Sequence, residues 1–216
     1  MRHPPLPALS DDAIRIALVP FGVALNRDQT RQVRDYTELL VKWNQQLSLT
    51  TIVDPVEIIS RHFGESMFAA RLEDLRNGRL ADLGTGAGFP GLALKILRPN
   101  LQVILIESNK KKCAFLAEVL RALGLNGVAI RNGRYEELDF QPGFADFVAA
   151  RAIGGFQTLL SFAQRALAPQ GRVILWVGYD DSVRLSNSSG WIWMPPAHIP
   201  ESRRRFIMIG RRNPSA

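Results

Sequence analysis

The stretch Asp82-Leu83-Gly84-Thr85-Gly86-Ala87-Gly88-Phe89-Pro90-Gly91 decides the fold. It follows a short apolar run, Leu80-Ala81-Asp82-Leu83, and precedes a helical pattern near 91–97, so its glycines occupy a strand-to-helix turn. Glycine at such a place lets the backbone turn sharply and approach a ligand closely. The spacing alone is shared by many nucleotide-binding sheets, and what surrounds it must choose among them.

Downstream the pattern repeats. Val103-Ile104-Leu105-Ile106 reads as a strand followed by a helix near 110–123, and further strands are expected at 127–130, 145–149 and 172–177, with a helix from about 154 to 167. Strands alternating with helices imply a parallel sheet with right-handed crossovers. Trp191 to Trp193 and 206–209 are read as a closing antiparallel pair, and Asn187-Ser188-Ser189-Gly190 as a loop. The chain is therefore α/β from residue 79 onward.

Residues 1–78 differ: apolar positions recur at helical spacing. Val33, Tyr36, Leu40, Trp43 and Leu47 form one stripe, and Asp54, Pro55 and Glu57 mark a capped start for a helix running through Arg61 and His62 towards Leu72. The expected organisation is a helical extension over 1–78 and a Rossmann-like domain over 79–216.

Composition narrows the partners. The formal charge is +7, and it is uneven: residues 1–78 hold 9 basic and 10 acidic side chains, residues 79–216 hold 18 and 10. An excess of that kind favours an anionic partner. A single cysteine, Cys113, excludes an intramolecular disulfide framework, and His3, His62 and His198 are too scattered to make a metal site. No run approaches the roughly 18 apolar residues of a membrane span, and Met1 to Pro7 lacks an apolar signal core, so a cytoplasmic protein without membrane contact is expected.

The strand after the turn ends in Glu107, where a carboxylate can accept hydrogen bonds from both ribose hydroxyls or, alternatively, cap the following helix. Asp82, directly before the glycines, is an unusual neighbour for a pyrophosphate. A cofactor with a positive sulfonium and an amino acid tail tolerates it better; a hydrogen-bonded strand end is the other reading. These features suit S-adenosylmethionine.

At this point the chain resembles the family of small-subunit ribosomal RNA guanine-N7 methyltransferases, also called glucose-inhibited division protein B. The resemblance rests on the glycine-rich turn with its Pro90-Gly91 ending, on Trp43-Asn44 with Ser48-Leu49-Thr50, on Arg61-His62 with Glu65-Ser66, and on Arg151-Ala152. It implies a Rossmann-like S-adenosylmethionine-dependent methyltransferase acting on 16S ribosomal RNA, within the small ribosomal subunit and as a monomer. By similarity, Gly84, Phe89, Tyr135, Glu136 and Arg151 contact the cofactor. To these the reading above adds Asp82, Gly86 and Glu107. Arg61, His62 and Arg151 are the candidates for positioning the substrate. Three positions depart from the pattern: Ser48 replaces the usual Asn, Glu65 the usual Asp, and Val177 a Lys before Gly178. Two alternatives stay open: a methyltransferase of this fold with another substrate, and an RNA-binding module with a non-catalytic pocket.

The implied chemistry agrees with what the sequence lacks. Ring nitrogen 7 of guanine carries an in-plane lone pair and no proton, so positioning and electrostatics suffice and no general base is expected. Methylation of a cytosine carbon would need a thiolate near the fourth strand, whereas Cys113 lies in the helix after the second. The basic end and Lys110, Lys111 and Lys112 suit phosphate contacts or a solvated face equally.

Overall fold

The computed structural model describes residues 9–152 and 154–214, so the reading of Met1 to Pro7, and His3 with it, lies outside the described residues. The chain opens with α1 (Asp11–Leu18), a 3-10 turn at Val19–Phe21 and α2 (Arg27–Asn44). The start of α2 is fixed by a full capping box in which Asn26 and Gln29 exchange side-chain and backbone bonds. Val33, Tyr36 and Leu40 of the expected stripe are completely buried, while Leu47 falls beyond the helix end.

The next helix begins where Asp54, Pro55 and Glu57 place it. The Asp54 carboxylate accepts from the Glu57 N–H at 2.8 Å, and the Glu57 side chain binds Arg61 instead of returning to the cap. The rod then changes pitch: α3 (Pro55–Ile58) passes into a π-helical segment, Ile59–Gly64, before α4 (Glu65–Leu72) resumes α geometry. π segments interrupt the regular hydrogen-bond ladder and occur frequently at functional sites. This one carries Arg61 and His62.

From Arg79 the fold is a single sheet of β1 (Arg79–Leu83), β2 (Gln102–Glu107), β3 (Val128–Asn132), β4 (Ala145–Arg151), β5 (Leu167–Gly178), β6 (Trp191–Trp193), β7 (Ala197–His198) and β8 (Arg205–Arg212). The crossovers are α5 (Gly91–Leu97), α6 (Lys110–Leu123) and α7 (Phe156–Ala166); α8 (Tyr179–Ser186) follows β5. The order is β3-β2-β1-β4-β5-β8-β6, with β7 also on β8. The first five strands are parallel and β8 runs against β5.

The closing strands pair antiparallel as read from the sequence, but through different residues of the last strand. Residues 206–209 lie against β5, with Phe206 opposite Val177 and Ile209 opposite Ile174, whereas Trp191, Ile192 and Trp193 meet Arg212, Arg211 and Gly210. β8 is long enough to serve both neighbours, which its apolar half alone does not reveal.

Both faces of the sheet are covered, which is why its strands read as nearly continuous apolar runs. Along β5, Ile174 and Trp176 belong to one core, and Val173, Leu175 and Val177 to the other. The first core also holds Tyr36, Phe63 and Met67 from the N-terminal helices, together with Leu92 of α5 and Phe115 of α6. The second is closed by α7 through Leu159, Phe162 and Ala163.

Candidate cofactor and substrate site

The glycine-rich turn leaves β1 at Leu83 with Gly84, Gly86 and Gly88 all left-handed, at φ of 60°, 57° and 91°. Asp82 fastens it from below. Its side chain is fully buried, and one carboxylate oxygen accepts from the Thr85 hydroxyl at 2.5 Å and from the Gly91 N–H at 2.8 Å. A β-carbon on Gly91 would stand 2.7 Å from that oxygen and 2.7 Å from Leu105, which explains the glycine after Pro90. Burial pushes the Asp82 carboxyl up to about 7 in spite of those two hydrogen bonds. Its other oxygen has no hydrogen-bond partner among the described residues. Asp82 thus braces the turn as a hydrogen-bonded strand end.

Both oxygens of Glu107 accept backbone hydrogen bonds. One oxygen accepts from the Gly86 N–H at 2.9 Å, tying the turn to β2, and the other caps the Asn109 N–H at 2.8 Å. A β-carbon on Gly86 would meet only the Gly84 carbonyl, 3.9 Å away, so the outer side of the turn is open.

A cavity of about 240 Å³ lies beside it, lined by Gly84, Ile106, Ser108, Gly133, Arg134, Tyr135, Glu136 and Gly154. It sits at the carboxyl ends of the strands, where open α/β sheets bind ligands. Gly84, Tyr135 and Glu136 were expected there; Ser108, Gly133 and Gly154 were not, although each follows the carboxyl end of a strand. The Tyr135 ring is held edge-on by Phe162 at 5.3 Å, and burial raises its phenol above the ordinary value. These residues fit S-adenosylmethionine: an open glycine turn, a carboxylate already aligned by Gly86, and an aromatic wall.

Phe89 and Arg151 do not line this cavity. Phe89 is buried, stacked on Tyr36 at 5.3 Å and on His62 at 4.9 Å, with Phe63 edge-on at 5.0 Å, so it pins the turn to the N-terminal helices. Tyr36 also donates to the Ala87 carbonyl. Arg151 ends β4 and turns towards α4: it donates to the Arg61 carbonyl at 2.7 Å, to Glu65 at 3.1 Å and to the Ser66 hydroxyl at 3.4 Å.

Glu65 is the hub of that arrangement. Its side chain is 1% exposed and receives Arg61 at 3.1 Å, Arg151 at 3.1 Å and Arg205 at 2.7 Å. Trp176 donates to its carbonyl at 2.8 Å. Arg205 was known from the sequence only as part of a basic run; its position opposite Gly178 brings it here. His62 is held by its Nε2 against the Thr50 hydroxyl at 2.8 Å. Thr50 in turn belongs to a knot in which the Asn44 amide accepts from the Leu49 and Thr50 N–H groups at 2.8 and 2.9 Å. The separated matches Trp43-Asn44, Leu49-Thr50 and Arg61-His62 are therefore one structure. Burial, then the neighbouring Arg151 and Arg61, pull the His62 imidazole down to about 3, so it is neutral at physiological pH.

Residues 29–188 match the family described as rRNA small subunit methyltransferase G, GidB. Among curated proteins, the ribosomal RNA small subunit methyltransferase G of Roseiflexus castenholzii is 39% identical over 92% of this chain and 89% of its own length. That of Xanthomonas euvesicatoria is 36% identical over 81% and 83%. The chain belongs to the GidB family.

Solved structures agree on the fold of this GidB family member. A SAM-dependent methyltransferase from Aquifex aeolicus superposes with a TM-score of 0.63 at 14% identity, covering 76% of this chain and 96% of that one. The glycopeptide N-methyltransferase MtfA, solved with sinefungin, gives 0.61 at 11% identity over 70% and 94%. The sheet is thus the Rossmann-like sheet of S-adenosylmethionine-dependent methyltransferases. Among the described residues, no helix is long and apolar enough to cross a membrane, and no cluster of three or more His, Cys, Asp or Glu is placed to hold a metal. Cys113 packs beside the Glu107 carbonyl and Asn132, where burial raises its thiol, away from the end of β4. Lys110 and Lys111 are exposed at the start of α6, and Val177 is buried against the α7 side.

Proposed function

We propose that this GidB family member transfers a methyl group from S-adenosylmethionine to ring nitrogen 7 of a guanine in 16S ribosomal RNA, acting as a cytoplasmic monomer on the small ribosomal subunit. The observation that carries the reading is the Gly86–Glu107 hydrogen bond beside the cavity at the carboxyl ends of β1 and β2, in a chain of this family.

When bound, S-adenosylmethionine supplies an electrophilic methyl group. Gly84 and Gly86 offer it backbone at close range, Glu107 keeps acceptor capacity for ribose hydroxyls, and Tyr135 and Glu136 flank it. A carboxylate has about four acceptor positions, and the two N–H groups on Glu107 use two. No residue needs to remove a proton from the guanine ring nitrogen. The remaining task is to hold the base in line, and Arg61 and Arg151 are grouped for it around Glu65, with His62 beside Arg61 in the same π segment. Three guanidinium groups against Glu65, with Glu57 also on Arg61, leave that wall net positive, which suits a polyanion.

Incubation with unmethylated small subunits and S-adenosylmethionine carrying a labelled methyl group tests the reading. Label should enter the RNA, and Gly84→Arg, by filling the turn, should abolish both cofactor binding and transfer. Label appearing without RNA, or none with it, would overturn the assignment.

A further inference from the structure

Beyond β4 the carboxyl edge of the sheet carries an exposed aromatic that the proposed reaction does not use. Tyr179 directly follows Gly178 at the end of β5 and is 51% exposed. Large aromatics are normally turned inward on a surface helix, yet here the ring is held outward by specific neighbours. The Arg204 guanidinium lies over it at 5.7 Å and is fixed from the other direction by Asp180 at 3.2 Å. Phe206 supports it from the sheet at 6.1 Å, and His198 meets Phe206 edge-on at 5.2 Å.

Position relates this group to the site. Arg205, between Arg204 and Phe206, crosses to the opposite face and binds Glu65. Neighbouring strands are about 4.8 Å apart, so β5 stands about 10 Å from β1 and its glycine turn. A nucleotide chain whose target base meets the Glu65 wall has the end of β5 within reach of its neighbouring bases.

We propose that Tyr179 and Arg204 form a stacking platform for an unpaired base of the RNA substrate next to the methylated guanine. The proposal rests on the methyltransferase reading above. Single-stranded RNA is held by stacking unstacked bases on aromatic rings or guanidinium planes, and here an exposed guanidinium lies over a half-exposed ring. The cation over the ring is Arg204, and residues 79–216 carry 18 basic against 10 acidic side chains, which favours a polyanion as the partner. Asp180 pairs with Arg204 at the surface beside the ring.

The test compares wild type, Tyr179→Ala and Tyr179→Phe for methyl transfer to unmethylated small subunits and for binding to protein-free small-subunit RNA. Stacking on one aromatic is worth about 1–3 kcal/mol, which corresponds to roughly 5- to 150-fold in affinity. Tyr179→Ala should raise KM for the subunit and weaken binding to the free RNA by an amount in that range. Its kcat and its affinity for S-adenosylmethionine should stay unchanged, and Tyr179→Phe should restore KM. Unchanged KM in Tyr179→Ala would overturn the platform while leaving the methyltransferase reading intact. A raised KM on the assembled subunit with unaltered binding to free RNA would also overturn it, by assigning the ring to a ribosomal protein. Failure of the wild type to label RNA would remove the reading on which the platform depends.

Discussion

Glu65 holds three arginines that come from three separate parts of the chain, and its carboxylate is the only acidic group they all share. Buried charges of this kind contribute little as a set, but removing one partner leaves the others uncompensated. Glu65→Gln should therefore destabilise the fold by about 3–5 kcal/mol, read as a lower midpoint in urea at unchanged slope. A loss below about 1 kcal/mol would show that solvent, not Glu65, neutralises the arginines. His62 makes a second prediction. Its imidazole falls from 6.5 to about 3 on folding, so between those values the unfolded chain takes up a proton that the folded chain refuses. Stability is lost as pH falls through that window, at no more than about 1.4 kcal/mol per pH unit. Asp82 acts in the opposite sense: raised from 3.8 to about 7, it keeps a proton in the fold that the unfolded chain releases, and costs stability as pH rises between those values. Thermal midpoints from pH 7 to 4 should fall less steeply in His62→Gln than in wild type. Parallel curves would mean that His62 titrates normally.

At the scale of elements, the π segment decides where Arg61 and His62 point. Its end is packed tightly: a β-carbon on Gly64 would collide with the Phe21 ring of the preceding 3-10 turn. Gly64→Ala should cost about 1–3 kcal/mol, the usual penalty of overpacking, and should lower methyl transfer by tilting the segment. Unaltered stability would show that Phe21 can move aside. Here the sequence reading was strongest for β1, β2 and the helices between them, because buried parallel strands and amphipathic crossovers have opposite periodicities. It found the Asp54 cap and the course of the helix to Leu72, but a π turn leaves no mark in a hydrophobic stripe. It missed α8 and β7, which are short and gain their structure from packing on β5 and β8. The double pairing of β8 was equally hidden, since strand partners are chosen by the sheet and not by the strand. Gly84, Tyr135 and Glu136 line the cavity where the sequence reading expected a cofactor, while Glu107 holds the Gly86 N–H. That Phe89 and Arg151 face the helical side and not the cavity depends on Tyr36, His62 and Glu65, partners 27 to 86 positions away in sequence.

Across the whole molecule, the N-terminal helices and the sheet share a core, with Phe63, Phe89 and Phe115 all packed on Tyr36. We propose that residues 1–78 act as an extension of the sheet domain that supplies one wall of the site, while residues 79–216 supply the cofactor cavity and most of the positive charge. The glycine turn is the seam between them: Asp82 and Glu107 fix it from the sheet, Tyr36 and His62 through Phe89 from the helices. A cofactor in the cavity and a base against the Glu65 cluster would meet across that seam. The most direct test is to methylate small subunits with labelled S-adenosylmethionine, digest the RNA to nucleosides and identify the labelled one. Label in 7-methylguanosine is the predicted result; label in any other nucleoside would contradict the account.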